Sequence, residues 1–173
     1  QMGFPFGRIT QLLILTAQRR DEVAGMRWSE LDLDRARWII SKERAKNGKA
    51  HIVHLSPRAL ALLSTIPKRN GVDLVFTTTG RSAVSGFSKA KAALDARSHV
   101  SDWRLHDLRR SAATFMADEL RIAPVVVDRI LNHVSGTVRG VAAIYQRGEH
   151  LADREAAMIA WGQLVEDLVN SNK

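Results

Sequence analysis

Arginines, histidines, one lysine and a lone tyrosine are the residues of this sequence with chemistry to offer. Arg19 and Glu22, in Thr16-Ala-Gln-Arg-Arg-Asp-Glu-Val, stand three apart, and His106 and Arg109, in Leu105-His-Asp-Leu-Arg-Arg, repeat that interval. On a helix such residues are neighbours, so each pair shares a face. Lys46 directly precedes Asn47-Gly48, close to the tip of a turn. His133 ends the apolar run Val127-Asp-Arg-Ile-Leu-Asn-His, and Tyr145, the single tyrosine, follows twelve residues later. A guanidinium is permanently charged and its planar fork grips two oxygens of an anion. An imidazole exchanges protons near neutral pH, and a phenol becomes a nucleophile once ionised. Together these groups suit attack on an anionic ester. Taken singly, each has a plainer reading: solvated ion pairs, a turn lysine in water, a histidine capping helix carbonyls, and a half-buried packing tyrosine.

The elements that must position them can be read from the apolar pattern. A helix is expected over about residues 8–17, continuing or restarting at Arg20–Met26, and Ser29-Glu-Leu-Asp-Leu-Asp reads as a turn. Ala36-Arg-Trp-Ile-Ile-Ser has the β-branched and aromatic content of a strand. Ala45-Lys-Asn-Gly-Lys is a hairpin signal, because Asn-Gly accepts positive φ, and His51-Ile-Val-His-Leu is the returning strand. Pro57 opens a helix to about Ile66, and Leu74–Phe76 is expected to add a third strand. Beyond it helices are expected over about 83–97, 105–120, 124–133, 138–145 and 151–169. The fold class is mainly α with a small antiparallel β-sheet, in one domain over residues 1–173.

Composition narrows the partner. The chain has 173 residues, 45% of them hydrophobic and 25% charged, as in an ordinary globular domain. No run is apolar enough to span a membrane and no secretory leader is visible, so a cytoplasmic location is expected. With no cysteine, disulfides, thiolate metal sites and cysteine nucleophiles are excluded. The net charge is +8. From Glu149 onward five acids face two bases, so the basic excess belongs to the preceding body. A basic body suits a polyanion, nucleic acid first, although charge alone also allows an indifferent basic surface. A helical pattern that starts almost at the first residue suggests the C-terminal part of a longer protein.

Order and spacing together change the weight of the single signals. Arg19, Lys46, His106, Arg109, His133 and Tyr145 resemble the catalytic set of the tyrosine recombinase (phage integrase) family, Arg, Lys, His-x-x-Arg, His or Trp, Tyr. Thr-Ala-Gln-Arg-Arg-Asp-Glu-Val resembles the family's Thr-Gly-x-Arg-x-x-Glu-Leu, followed by the expected Met-x-Trp. Lys46-Asn-Gly-Lys-Ala-His-Ile-Val-His-Leu resembles the lysine hairpin that normally ends Val-Pro-Leu, and Leu131-Asn-His resembles Leu-Gly-His. The likeness spans about residues 8–148 and is nearest to prophage and genomic-island integrases. Three positions depart from it: Ala17 and Asn132 replace glycines, and His54 replaces a proline.

The resemblance implies a site-specific recombinase that integrates or excises a mobile element through a 3′-phosphotyrosine at Tyr145. Arg19 and Arg109 would hold the phosphate, with His106 and His133 hydrogen-bonding to it and His106 able to act as a base. Lys46 would protonate the leaving 5′-oxygen, and Glu22 would orient Arg19 or support the hairpin. No metal or other cofactor is implied. Arg44, Lys49, Lys89, Lys91, Arg110 and Arg139 are candidate contacts to the DNA backbone, each equally readable as a solvated charge. The expected partners are double-stranded attachment sites and further copies of the chain, a homotetramer on DNA and a monomer possible when free. The tail 149–173 would pack on its own domain or dock onto a neighbour. Rival readings are type IB topoisomerase-like strand passage, a non-catalytic DNA-binding regulator, and a metal nuclease built on His106, Asp107 and His133, for which carboxylates are sparse.

Overall fold

The computed structural model describes residues 2–133 and 150–171. The helix expected over 138–145, with Arg139 and Tyr145, lies outside the described residues. The elements run α1 (Phe6–Thr16), α2 (Arg20–Ala24), a 3-10 turn (Trp28–Glu30), β1 (Leu31–Asp32), β2 (Arg37–Ile40), β3 (His51–His54), α3 (Pro57–Ser64), α4 (Phe87–Ser98), α5 (Leu105–Asp118), α6 (Pro124–Ile130) and α7 (Leu151–Ser171). The three strands form one antiparallel sheet in the order β1-β2-β3. The mainly helical class with a small sheet is thus as expected.

The sheet corrects two expectations. Leu74–Phe76 is not a strand, since only an isolated bridge joins Arg27 to Leu74. The third strand is β1, inside the segment read as a turn, where Leu31 pairs with Trp38 and Asp32 with Arg37. A tight turn makes this possible: the Arg35 N–H donates to Asp32 Oδ1 at 3.1 Å, and Ala36 takes a φ of 52°. Val75 and Phe76 are instead buried by side chain in the core. Their apolar character was legible; the absence of a ladder was not.

The lysine hairpin also differs from its expected form. β2 ends at Ile40 and β3 starts at His51, so the connection is a long loop rather than a two-residue turn. Within it the Gly48 N–H donates to Ala45 O at 2.9 Å, which places Lys46 and Asn47 at the centre of a β-turn. Gly48 alone has positive φ there, 69°, whereas a type I′ turn requires two such residues.

Two apolar clusters hold the elements. One joins α1, the sheet and α3 through Leu12, Trp38, Ile40, Leu63 and Phe76. The other joins α5, α6 and α7 through Met116, Val127, Ile130, Met158 and Trp161. Helix α7 packs on its own domain: the Trp161 Nε1–H donates to Ile14 O at 2.8 Å. Gly162 lies so close to Ser56 that an added Cβ would sit 2.5 Å from its hydroxyl oxygen. Arg154, only 2% exposed, donates to Ile52 O on β3.

Candidate active site

Arg19 stands just before α2, and its neighbour by one helical turn, Glu22, closes the helix start. The Arg19 N–H donates to Glu22 Oε2 at 3.1 Å and Arg19 Nη1 donates to Oε1 at 3.2 Å. The Lys46 N–H reaches the same Oε1 at 3.4 Å. Glu22 is 3% exposed, so one buried carboxylate both orients Arg19 and holds the lysine loop. Replacing it with glutamine keeps the shape and removes the charge beside two guanidiniums. Glu22→Gln is expected to lose about 2 kcal/mol in a urea titration, because the partly buried Arg19 loses its counter-charge.

Arg109, on α5, is 3% exposed. Its Nη1 donates to Ala17 O at 2.7 Å and its Nη2 to Leu131 O. Ala17 ends α1 with φ 53°, the left-handed conformation a glycine adopts without strain, and this turns its carbonyl toward Arg109. Here the family's glycine has a backbone reason. Burial, then the nearby Arg19, bring Arg109 down to about 10, while Glu22 pulls the other way. It therefore stays charged at neutral pH.

His106 shares the first turn of α5 and is exposed. Partial desolvation first, then Arg109 and Arg19, hold it below the usual imidazole value, against an upward pull from Asp107. It favours the neutral form, which can both donate and accept. Asp107 itself is engaged, with Oδ2 accepting from the Arg104 N–H at 2.8 Å and Oδ1 from Arg110 at 3.2 Å. It closes the start of α5. Among the described residues no three histidine, aspartate or glutamate side chains stand close enough to hold a metal ion.

The end of α6 is where the chain converges. Its last carbonyls lack helical partners, and side chains from four other segments supply them. Ile130 O accepts from Gln18 Nε2 and His51 Nε2, each at 3.0 Å. Leu131 O accepts from Arg109, and Asn132 O accepts from Asn47 Nδ2 at 2.8 Å. Asn132 takes φ 48°, a conformation asparagine tolerates better than most residues. His133 follows immediately, half-exposed, with Nδ1 3.2 Å from Asp128 Oδ1.

Gln18 and His51 were not singled out from the sequence. A polar residue at an inward strand position was the signal for His51. With Nε2–H given to Ile130 O, its Nδ1 is left to accept from Arg154 Nη2 at 3.4 Å. Burial, then Arg154, bring His51 down to about 3 from 6.5. The unfolded state takes up this proton near 6.5 and the folded state does not until about 3, so stability falls as pH drops through that interval. Urea midpoints compared at about pH 7 and about pH 5 should fall more for the parent than for His51→Gln. His54, at the family's proline, is buried with Nδ1 3.7 Å from Glu155 Oε2.

Arg19, Lys46, His106 and Arg109 line a single cleft of about 440 Å³, shared with Lys91 and Trp103. A larger cavity of about 660 Å³ near Phe4, Thr10 and Val75 has cations at Arg8 and Arg69 but none of these groups. Among the candidate backbone contacts, Arg44 has another task. It is bound to both oxygens of Glu30, at 2.6 and 3.1 Å, and to Glu22 O at 3.0 Å, and so anchors the lysine loop. Lys91 is paired with both oxygens of Asp95 and lies 4.5 Å from the Trp103 ring centroid. Lys49, Lys89 and Arg110 are exposed.

The phage integrase family model matches residues 7–147, most of the chain. The chain belongs to the phage integrase family. It is 30% identical to prophage integrase IntA of Escherichia coli K12 over 155 residues, covering 88% of this chain and 37% of that protein. It is 30% identical to a shufflon-specific DNA recombinase of Escherichia coli over 161 residues, covering 92% of this chain and 36% of that one. The integrase of Shigella phage Sf6 is 24% identical over 163 residues, with 92% and 42% covered. This integrase-family chain thus spans well under half the length of these relatives. Its fold is that of the XerA recombinase structure, with a TM-score of 0.58, 18% identity, and 82% of this chain and 54% of that one covered. No helix among the described residues is long and apolar enough to cross a membrane.

Proposed function

We propose that the protein containing this chain is a site-specific DNA recombinase that cuts and rejoins strands through a phosphotyrosine at Tyr145. The supporting observation is the cleft that Arg19, Lys46, His106 and Arg109 line together, with Arg19 held by the buried carboxylate of Glu22. Attack on a phosphodiester builds negative charge on the non-bridging oxygens, and preorganised cations stabilise it. Arg19, Arg109, His106 and His133 are assigned to those oxygens. The Tyr145 oxygen forms the bond to phosphorus as the bond to the 5′-oxygen breaks. His106 accepts the phenolic proton and Lys46 supplies one to the departing oxygen. Attack by the 5′-hydroxyl of a new strand reverses these steps, so the exchange needs no ATP.

The substrate is double-stranded DNA at attachment sites of a mobile element, and the working assembly is a tetramer on DNA, in the cytoplasm of a bacterium. Any contact α7 makes in that tetramer uses its outward face, including Ile159 and Val169, because Met158 and Trp161 are already buried in cis. Incubating the full-length protein in EDTA with a nicked duplex of its attachment half-site should trap a covalent adduct. Peptide mapping should place the nucleotide on the peptide containing Tyr145. An adduct on another residue, or a requirement for divalent metal, would overturn the proposal.

A further inference from the structure

The connection between β2 and β3 is long, and among its residues only Ala45 is buried. Such a loop keeps a fixed shape only where it is tied down. Ahead of Lys46 the ties are Arg44 on Glu30 and Glu22, and the Lys46 N–H on Glu22. Beyond Lys46 the tie is a reciprocal pair of asparagines. Asn47 Nδ2 donates to Asn132 O at 2.8 Å, and Asn132 Nδ2 donates to Asn47 Oδ1 at 3.3 Å and to Lys49 O at 3.4 Å. Asn47 Oδ1 also accepts from the Lys49 N–H at 3.1 Å, which stiffens the turn.

The geometry points to Asn132, together with Asn47, as a positioning residue that latches the turn carrying Lys46 to the end of α6. This rests on the assignment of Lys46 as the proton donor. With both flanks of Lys46 held, its exposed side chain searches a small volume around the cleft instead of moving with a free loop tip. Proton transfer requires hydrogen-bond reach, so a wandering donor slows only the step that needs its proton. The latch also ties the lysine loop to the residue preceding His133, so both groups take their places from one helix end. Ala17 shows the other use of a left-handed residue in this fold, aiming a carbonyl; Asn132 does that and adds an amide that reaches across.

The backbone makes the test clean. Asn132 has left-handed φ, which glycine adopts freely, so Asn132→Gly removes the amide without straining the chain. Combined with Asn47→Ala it removes every bond of the latch. The full-length N47A/N132G protein is compared with the parent and with Lys46→Ala on a nicked attachment half-site duplex. Each is also tested on the same duplex carrying sulfur at the bridging 5′ position, since a thiolate leaves without a proton. N47A/N132G is expected to cleave the oxygen substrate about tenfold more slowly and the sulfur substrate at the parental rate. Lys46→Ala should be about 100-fold slower on oxygen and restored on sulfur. Equal rates for N47A/N132G and the parent on oxygen, or an equal loss on both substrates, would overturn the latch. If Lys46→Ala is not restored by sulfur, the assignment of Lys46 fails. The latch is then judged by hydrogen exchange of the amides of residues 46–49, which must quicken in N47A/N132G for it to stand.

Discussion

Tyr145→Phe is expected to abolish the covalent adduct while leaving DNA binding within about twofold. The change deletes one oxygen and keeps the ring, so it removes the nucleophile with little change in packing volume. None of the five cationic and imidazole groups, Arg19, Lys46, His106, Arg109 and His133, can replace it as the nucleophile at phosphorus. The rate of strand cleavage should fall by on the order of 10⁴-fold or more. Timed quenching in detergent measures the adduct, and a gel shift on the same duplex measures binding. Because this is the single tyrosine of the chain, no second phenol of this domain can stand in, and an adduct persisting in the variant would contradict the mechanism.

Arg109→Ala should lose both rate and stability. As a phosphate ligand in a partly enclosed cleft, a guanidinium is worth on the order of 100-fold or more in rate. As a structural group, Arg109 satisfies Ala17 O at the end of α1 and Leu131 O at the end of α6. Its loss leaves two poorly hydrated acceptors and a void, which together cost about 3 kcal/mol. Arg109→Lys separates the two effects. A lysine restores a positive charge but cannot hold both carbonyls with the planar fork. It should recover part of the stability measured by urea titration and little of the cleavage rate. A variant that kept parental cleavage with alanine at this position would remove Arg109 from the site.

The two roles of Arg109 explain why this arginine was so readily legible and yet incompletely understood from sequence. His106-x-x-Arg109 on one helical face and the order that leads to Tyr145 could be read as a resemblance to the family's set, because residue types and helical intervals are local properties. The same is true of Glu22, three residues from Arg19. The clamp on α6 could not be read this way. Arg109 reaches Ala17 across 92 residues, Gln18 reaches Ile130 across 112, and Asn47 reaches Asn132 across 85. No periodicity encodes such pairings.

Arg44 shows the same limit from the other direction. A basic residue on a loop near a lysine turn suits a phosphate contact, and charge counting cannot tell it from an anchor. Glu30, fourteen residues earlier, captures it only because β1 and β2 fold back on each other. The strand at Leu31–Asp32 depends on the same closure, as does the demotion of Leu74–Phe76 to core-filling coil.

The amino-acid order by itself therefore determined the chemistry on offer: which groups are cationic, which can move a proton, which can attack, and which helical faces they share. It also determined the mainly helical class, through apolar intervals that any local segment displays. Only the tertiary structure decided which carbonyls those side chains complete, that Arg44 serves the loop, and how Lys46 is held. The physical reason is that a polar group buried on folding must find a partner wherever the closed chain brings one near, and that meeting is set by packing of the whole domain.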